Sequence, residues 1–253
     1  MLNPPPAVWT ASTLDEALRL RADHPDATVL AGGTDLMVSP NGLTEILNIW
    51  GCAGLSGITS AESSIRIGAL STWSDLRQSA DIPHALRECA ATVGAAQIQN
   101  RGTVGGNIVN GSPAGDSLPL WLALDAAFEV GSVRGIRQIP AADFWTGYRE
   151  NAMTADELLL AVHIQPTSED TVHYRKVGTR MAQSISKVVM GARLRQIDGA
   201  VTEARIAMGS VAATPVRLPT VEAALVAGAG TAAADLVASD IHPIDDVRST
   251  SGY

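Results

Sequence analysis

Residues 97–116 read QIQNRGTVGGNIVNGSPAGD, with six glycines or prolines among small polar side chains. A stretch of that composition carries too little apolar surface for a core element, so it reads as a loop led by its backbone. Gly105 and Gly106 leave no side chain between their peptide N–H groups and a ligand. Successive N–H groups in such a turn form a concave nest that suits an anion, most often a phosphate. Thr103, Asn107, Asn110 and Ser112 add short neutral donors. For an isolated glycine pair, a turn-rich surface loop is the commoner reading.

A second stretch changes that balance. Residues 29–36 read VLAGGTDL: a short β-like run feeds directly into Gly32 and Gly33, then Thr34 and Asp35. A strand ending in a glycine turn is a second candidate nest, and two nests suit a diphosphate, each neutralising one phosphate with backbone dipoles. Neither stretch has the G-x-x-x-x-G-K-[ST] of a P-loop or the G-x-G-x-x-G that opens a Rossmann helix. The residues by themselves point to a dinucleotide diphosphate in a non-Rossmann site.

The 253 residues suffice for one large domain or two modest ones. A net charge of −8 argues against a nucleic-acid surface, and means that an anionic ligand is held by local dipoles rather than a global field. Cys52 and Cys89 are far apart and read as buried thiols, and without a C-x-x-C the chain has no ligand set for an iron–sulfur cluster. The five histidines lack the H-x-x-H and H-E-x-x-H spacings of a zinc site. The start, MLNPPPAVWTAS, has neither a basic nor an apolar leader region, and no run of 18 apolar residues occurs, so the expectation is a cytoplasmic protein without a membrane span.

Local signals predict the elements. Ser12 and Thr13 offer a cap for a helix over 13–22, with Asp15 and Glu16 in its first turn. Strands are expected at 28–30, 45–49 and 64–70, and Thr72 with Asp75 predicts a capping box. A helix over 83–93 leads to the second nest, and an apolar helix over 118–124 follows Asp116. Strands at 128–130 and 136–139 and the run within 156–164 complete the first part, with a domain boundary where the composition turns polar at 166–170. Beyond it, Asp198-Gly199 predicts a hairpin between 186–197 and 201–211, followed by helices at 219–226 and 232–239.

AGGTDL, NRGTVGGNIVNGSPAGD, DFWTGYRENAMTADELL, YRKVGTRMAQSISKV, ARIAMGSVAATPVRLP and PIDDVRST, in this order, resemble the FAD-binding subunit of the molybdenum hydroxylases. These are the relatives of xanthine dehydrogenase, aldehyde oxidase and carbon monoxide dehydrogenase. The resemblance implies an α+β chain: a FAD-binding domain of the vanillyl-alcohol-oxidase-like type over 1–166, with two subdomains at roughly 1–55 and 56–166. A small C-terminal α+β domain of hairpin sheet plus helices would occupy 171–253. It implies that Val29, Leu30, Ala31, Gly32, Gly33, Thr34, Asp35 and Leu36 form a first diphosphate loop, and Thr103, Val104, Gly105, Gly106 and Asn107 a second.

Asp116, whose simple reading is a helix N-cap, would also hydrogen-bond the cofactor. Lys176, on its own a surface charge, would sit beside the flavin and tune it, and the backbone of the strand residue Leu159 would meet the ring. Arg101 reads as structural, Tyr148 and Tyr174 as packed, and Trp50, Trp73 and Trp145 as core.

The implied activity is electron transfer inside a larger oxidoreductase. A large partner subunit would hold the molybdopterin cofactor and a small one two [2Fe–2S] clusters, in a dimer of heterotrimers. Electrons would reach FAD in this chain and leave to NAD⁺, O₂ or another acceptor. A stand-alone flavin oxidase or reductase needs a cap with catalytic groups, and the few titratable groups of the C-terminal stretch argue against it; a non-catalytic nucleotide-binding module is the other alternative. The family continues past PIDDVRST into a last helix, for which the sequence to Tyr253 has no residues.

Overall fold

The computed structural model describes residues 6–61, 64–180, 183–245 and 250–252. Pro4 and Pro5, Met181 and Ala182 of the YRKVGTRMAQSISKV stretch, and residues 246–249 of PIDDVRST lie outside them.

Strands β1 (Ala7–Thr10), β2 (Thr28–Leu30) and β3 (Glu45–Asn48) form a parallel sheet in the order β1–β3–β2. Helix α1 (Leu14–Asp23) links β1 to β2 and starts as the sequence predicts. Thr13 Oγ1 accepts the Glu16 N–H at 3.3 Å, and the Glu16 carboxylate accepts the N–H and hydroxyl of Ser12 at 2.8 and 2.9 Å. Ala17 and Leu18 of this helix are buried with Leu47, Ile49, Cys52 and Leu55. The carboxyl end of β2 delivers the chain straight into Gly32 and Gly33.

An antiparallel sheet comes next. Its order is β4 (Ile58–Ala61), β5 (Ser64–Gly68), then the late strand, then β6 (Ala127–Ser132) and β7 (Gly135–Pro140). Between β7 and the late strand lies a small hairpin of β8 (Trp145–Gly147) and β9 (Glu150–Asn151). The late strand, β10 (Leu158–Ile164), is central, and both its faces are covered, which is why it reads as the continuous apolar run LLLAV. Its pairing with β6 steps from Leu159–Val130 to Ala161–Glu129, so Leu160 is the extra residue of a bulge. Leu158 and Leu160 join the core under the first sheet, whereas Leu159, Val162 and Ile164 join the core that holds Trp121, Phe128 and Phe144.

Six helices dress this sheet: α2 (Trp73–Gln78), α3 (His84–Thr92), α4 (Ala96–Gln99), α5 (Val104–Asn110), α6 (Leu118–Ala123) and α7 (Ala141–Phe144). The capping box at α2 is present, with Thr72 N–H donating to Asp75 at 2.8 Å and Asp75 N–H to Thr72 Oγ1 at 3.2 Å. The stretch 97–116 is not the loop its composition predicts. Thr103 caps α5, and Val104 and Ile108, four residues apart, give that helix a buried face. These two, with half-buried Val109, suffice because the surrounding core does the packing.

The last sheet is antiparallel in chain order: β11 (Asp170–Gly178), β12 (Ser186–Ile197), β13 (Ala200–Gly209) and β14 (Val216–Arg217). Asp198 and Gly199 turn the predicted hairpin with φ of 51° and 81°, the left-handed pair of a two-residue loop. Strand β11 has no counterpart in the sequence reading: exposed Thr171, His173, Arg175 and Val177 alternate with a half-buried face that itself carries Asp170 and Lys176, so no apolar alternation marks it. Helix α8 (Pro219–Val226) follows as expected, but Gly230–Ser239 forms 3₁₀ turns rather than an α-helix.

All six residues of α6 are buried. A Cβ on Gly191 would lie 2.8 Å from the Leu120 backbone, so the missing side chain lets β12 close onto this helix. Just beyond α6, Asp125 (φ 47°) receives Arg193, Arg205 and Arg217 at 2.8, 3.2 and 3.1 Å, one arginine from each of β12, β13 and β14.

Candidate functional site

A cavity of about 640 Å³ is lined by both glycine stretches. Val29, Leu30, Ala31, Gly32, Gly33, Thr34, Asp35 and Leu36 all face it, as do Thr103, Gly105, Gly106, Asn107 and Leu159. Val104 does not; it is buried in the core behind them. Trp73, Val93, Ile98 and Leu158 supply apolar wall, and Arg21, Asp26 and Glu157 supply charge.

The two stretches touch backbone to backbone. A Cβ on Gly32 would run into the Arg101 carbonyl oxygen, and one on Gly102 would lie 3.1 Å from Trp73 Cδ1 and 3.2 Å from Thr34 Oγ1. Only glycine allows that approach. Arg101 itself has its guanidinium 3.7 Å above the half-buried Trp50 ring, so its role is structural, while Trp50 is not the core residue expected.

Their backbones differ in use. Gly33 has φ of 75°, and among the described residues the N–H groups of Gly32, Gly33 and Thr34 meet no acceptor. In the second stretch the amides are taken: Val104 donates to Ser71 O at 2.9 Å, Gly105 to Ala69 O at 2.8 Å and Gly106 to Thr103 Oγ1 at 3.1 Å. The second nest of free amides therefore does not exist. Gly105 is needed because a Cβ there would lie 2.7 Å from that of Ala69, whereas Gly106 is exposed and its Cβ would meet only Thr103 Oγ1.

Asp116 and Lys176 lie outside the cavity lining and bind each other. Lys176 Nζ donates to Asp116 Oδ2 at 2.6 Å and to the Thr92 carbonyl at 3.3 Å, and Ser186 Oγ donates to Asp116 Oδ1 at 2.6 Å. The two side chains are only 10% and 11% exposed, so Lys176 is not the surface charge of its simple reading. Nor is Asp116 the cap of α6: Ser117 holds that position, without a side-chain cap bond, because the carboxylate is turned to Lys176 and Ser186. Thr92, the acceptor for Lys176, immediately precedes Val93 on the cavity wall.

Around this pair, burial pushes up both the Cys89 thiol and the Tyr174 hydroxyl, leaving each neutral. Tyr174 is packed against Thr92, but Tyr148 is 57% exposed, contrary to expectation. Both cysteines are buried thiols, as expected.

Three charged residues near or on the wall escaped the sequence reading. Arg21 donates to the Ala27 carbonyl at 2.6 Å while its Nε has no partner among the described residues. Glu157 is clamped by Arg137 at 2.7 and 2.8 Å and held below the usual carboxylate range by that bond. Arg149 spans from Asn110 to Asp35. Only their tertiary neighbours mark them. Among the described residues no cluster of His, Cys, Asp or Glu could hold a metal, and no helix is long and apolar enough to cross a membrane.

Residues 4–167 match the family model described as the FAD binding domain in molybdopterin dehydrogenase, and residues 173–253 the CO dehydrogenase flavoprotein C-terminal domain. The chain is 37% identical over 219 residues to the xanthine dehydrogenase FAD-binding subunit of Escherichia coli O157:H7, covering 82% of this chain and 74% of that one. It is 34% identical over 232 residues to the nicotinate dehydrogenase FAD-subunit of Eubacterium barkeri, covering 86% and 78%. It also resembles the solved carbon monoxide dehydrogenase from Hydrogenophaga pseudoflava that lacks the Mo-pyranopterin moiety of its cofactor. That match has a TM-score of 0.93 at 27% identity and covers 100% of this chain and 93% of that one, in keeping with the expected α+β fold.

Proposed function

The chain belongs to the flavoprotein subunits of the molybdenum hydroxylases, which are oxidoreductases, and from that premise we propose that it carries FAD and passes electrons within a larger enzyme. The observation that carries the reading is the meeting of both glycine stretches on one cavity. The residues fit a flavin dinucleotide. Gly32, Gly33 and Thr34 turn uncommitted amides to the cleft, suiting a diphosphate in a protein whose net charge is −8. A cavity of about 640 Å³ walled by apolar side chains is within the usual range for organic ligands.

In this reading Val29 to Leu36 hold the diphosphate with their backbone. Thr103, Gly105, Gly106 and Asn107 form the opposite wall by shape rather than by free amides, with Val104 fastening that wall to the core. Trp73 and Leu159 keep water from the ring end. Lys176, outside the lining, supplies a cation behind the wall at Val93, its position set by Asp116, Ser186 and the Thr92 carbonyl. Bound FAD supplies the redox chemistry, accepting electrons singly and releasing them singly or as a hydride.

We assign the source of electrons to two [2Fe–2S] clusters of a small partner subunit, fed by a large subunit with the molybdopterin cofactor. The assembly is a cytoplasmic dimer of heterotrimers, and the acceptor is NAD⁺, O₂ or another oxidant. Domains at 1–166 and 171–253 follow from the same reading. Co-purification tests it: molybdenum and iron stoichiometric with flavin support the assignment. A chain that stays colourless after FAD is added would overturn it.

A further inference from the structure

The hairpin β8–β9 grips the far end of helix α5 through three consecutive residues. Trp145 Nε1 donates to the Ile108 carbonyl at 3.0 Å, Asn151 Nδ2 to the Val109 carbonyl at 3.3 Å, and Arg149 Nη1 to Asn110 Oδ1 at 2.8 Å. Carbonyls in the last turn of a helix have no partner within it; the hairpin supplies a donor to that of Val109 and a second donor to that of Ile108, which also accepts the Gly111 N–H at 3.2 Å. Gly111, in the left-handed region at φ 56°, lets the hairpin close: a Cβ there would lie 3.3 Å from Trp145 Cδ1 and 3.6 Å from Arg149 Cα.

At the hairpin tip Arg149 has φ of 56°, a conformation that costs a long side chain free energy and that its surroundings must impose. The strained residue is the one that reaches furthest. The same Nη1 that bonds Asn110 lies 3.6 Å from Asp35 Oδ2. Asn110 belongs to the second stretch and Asp35 to the first, and both face the cavity. Thus one guanidinium, outside the lining, ties the two walls together at the rim.

We propose that Arg149 is a positioning residue, a latch that holds the two glycine walls together and so sets how long the cofactor stays bound. This rests on the reading of the cavity as a flavin site. Because the Arg149 and Asp35 side chains are 44% and 66% exposed, the latch is screened by salt. Residence time of the cofactor is therefore sensitive to ionic strength.

The test is the rate of FAD release from the full-length chain, followed by the rise in flavin fluorescence on dilution, at about 0.05 M and about 0.5 M salt. Arg149→Ala should release FAD about two- to five-fold faster at low salt, with a weaker dependence on salt than wild type. Asp35→Asn should act similarly, and Arg149→Ala with Asp35→Asn should be no faster than the faster single variant. Arg149→Lys should recover the salt dependence. If Arg149→Ala and wild type release FAD equally fast, or if the two single effects multiply, Arg149 is not a latch, and the cofactor assignment stands. If the wild-type chain binds no FAD at either salt, the cofactor assignment itself fails, and the latch with it.

Discussion

The two glycine stretches share a composition and a cavity, yet they use their backbones in opposite ways. The first follows a strand and keeps the amides of Gly32, Gly33 and Thr34 uncommitted. The second has become the first turn of a helix, with its amides spent on Ser71, Ala69 and Thr103. Glycine is required in both, but for free donors and backbone contact in one and for close packing in the other. A glycine pair in sequence therefore signals close approach without saying whether a ligand or the protein itself does the approaching.

Substitutions can break this contrast, ranked here by their cost to stability. Gly32→Val drives a side chain into the Arg101 carbonyl, where both partners are backbone and neither yields. The expected cost is more than about 3 kcal/mol, with loss of flavin, measured as a denaturant midpoint and a flavin-to-protein ratio. A variant that keeps both would show that the walls are not joined there.

Lys176→Met leaves Asp116, the acidic end of the second stretch, buried without its cation and bonded to Ser186. The expected cost is about 3 kcal/mol, with FAD retained at a changed reduction potential, read by spectroelectrochemistry. An unchanged potential removes Lys176 from any tuning role.

Gly105 and Gly106 sharpen the comparison within one stretch. Gly105→Ala overpacks against Ala69 and should cost about 2 kcal/mol, with flavin binding lost only as far as the fold is. Gly106→Val should do the reverse, abolishing flavin retention while stability stays within about 1 kcal/mol of wild type. Equal effects of the two on stability would erase the distinction between a packing glycine and an open one.

The smallest effect is in pH. Glu157 on the cavity wall has its folded pKa lowered by the Arg137 hydrogen bond. A depressed carboxylate contributes fully above its unfolded value, and that contribution disappears as pH falls through the lower, folded one. Wild type should therefore lose stability on acidification below about pH 4.5, and Arg137→Met should lose less over the same interval, checked by denaturation at a series of pH values.

Much of the fold was legible because its signals are local. The Thr13 and Thr72 caps, the Asp198-Gly199 turn and the run in β10 are each complete within a few residues. Helix α5 and strand β11 were not, because one carries glycines and asparagines among its few apolar residues and the other buries two of its charges on its inner face. In the site, the glycine positions were visible, but which amides stay free depends on carbonyls of Ala69 and Ser71, more than thirty residues upstream in chain and adjacent only in the fold. Asp116 looked like a cap for the same reason: its partner is sixty positions away in sequence.

The bulge at Leu160 has a consequence for how this chain can change over time. A strand shows alternate residues to opposite sides, so one extra residue reverses the parity of everything after it. Leu159 before the step and Val162 after it thereby serve the same core, which strict alternation would forbid. Loss of that single codon would join the Leu159–Val130 and Ala161–Glu129 pairs into one uninterrupted ladder, so Val162 and Ile164 would keep their side and the damage would fall on the other core, which loses Leu160.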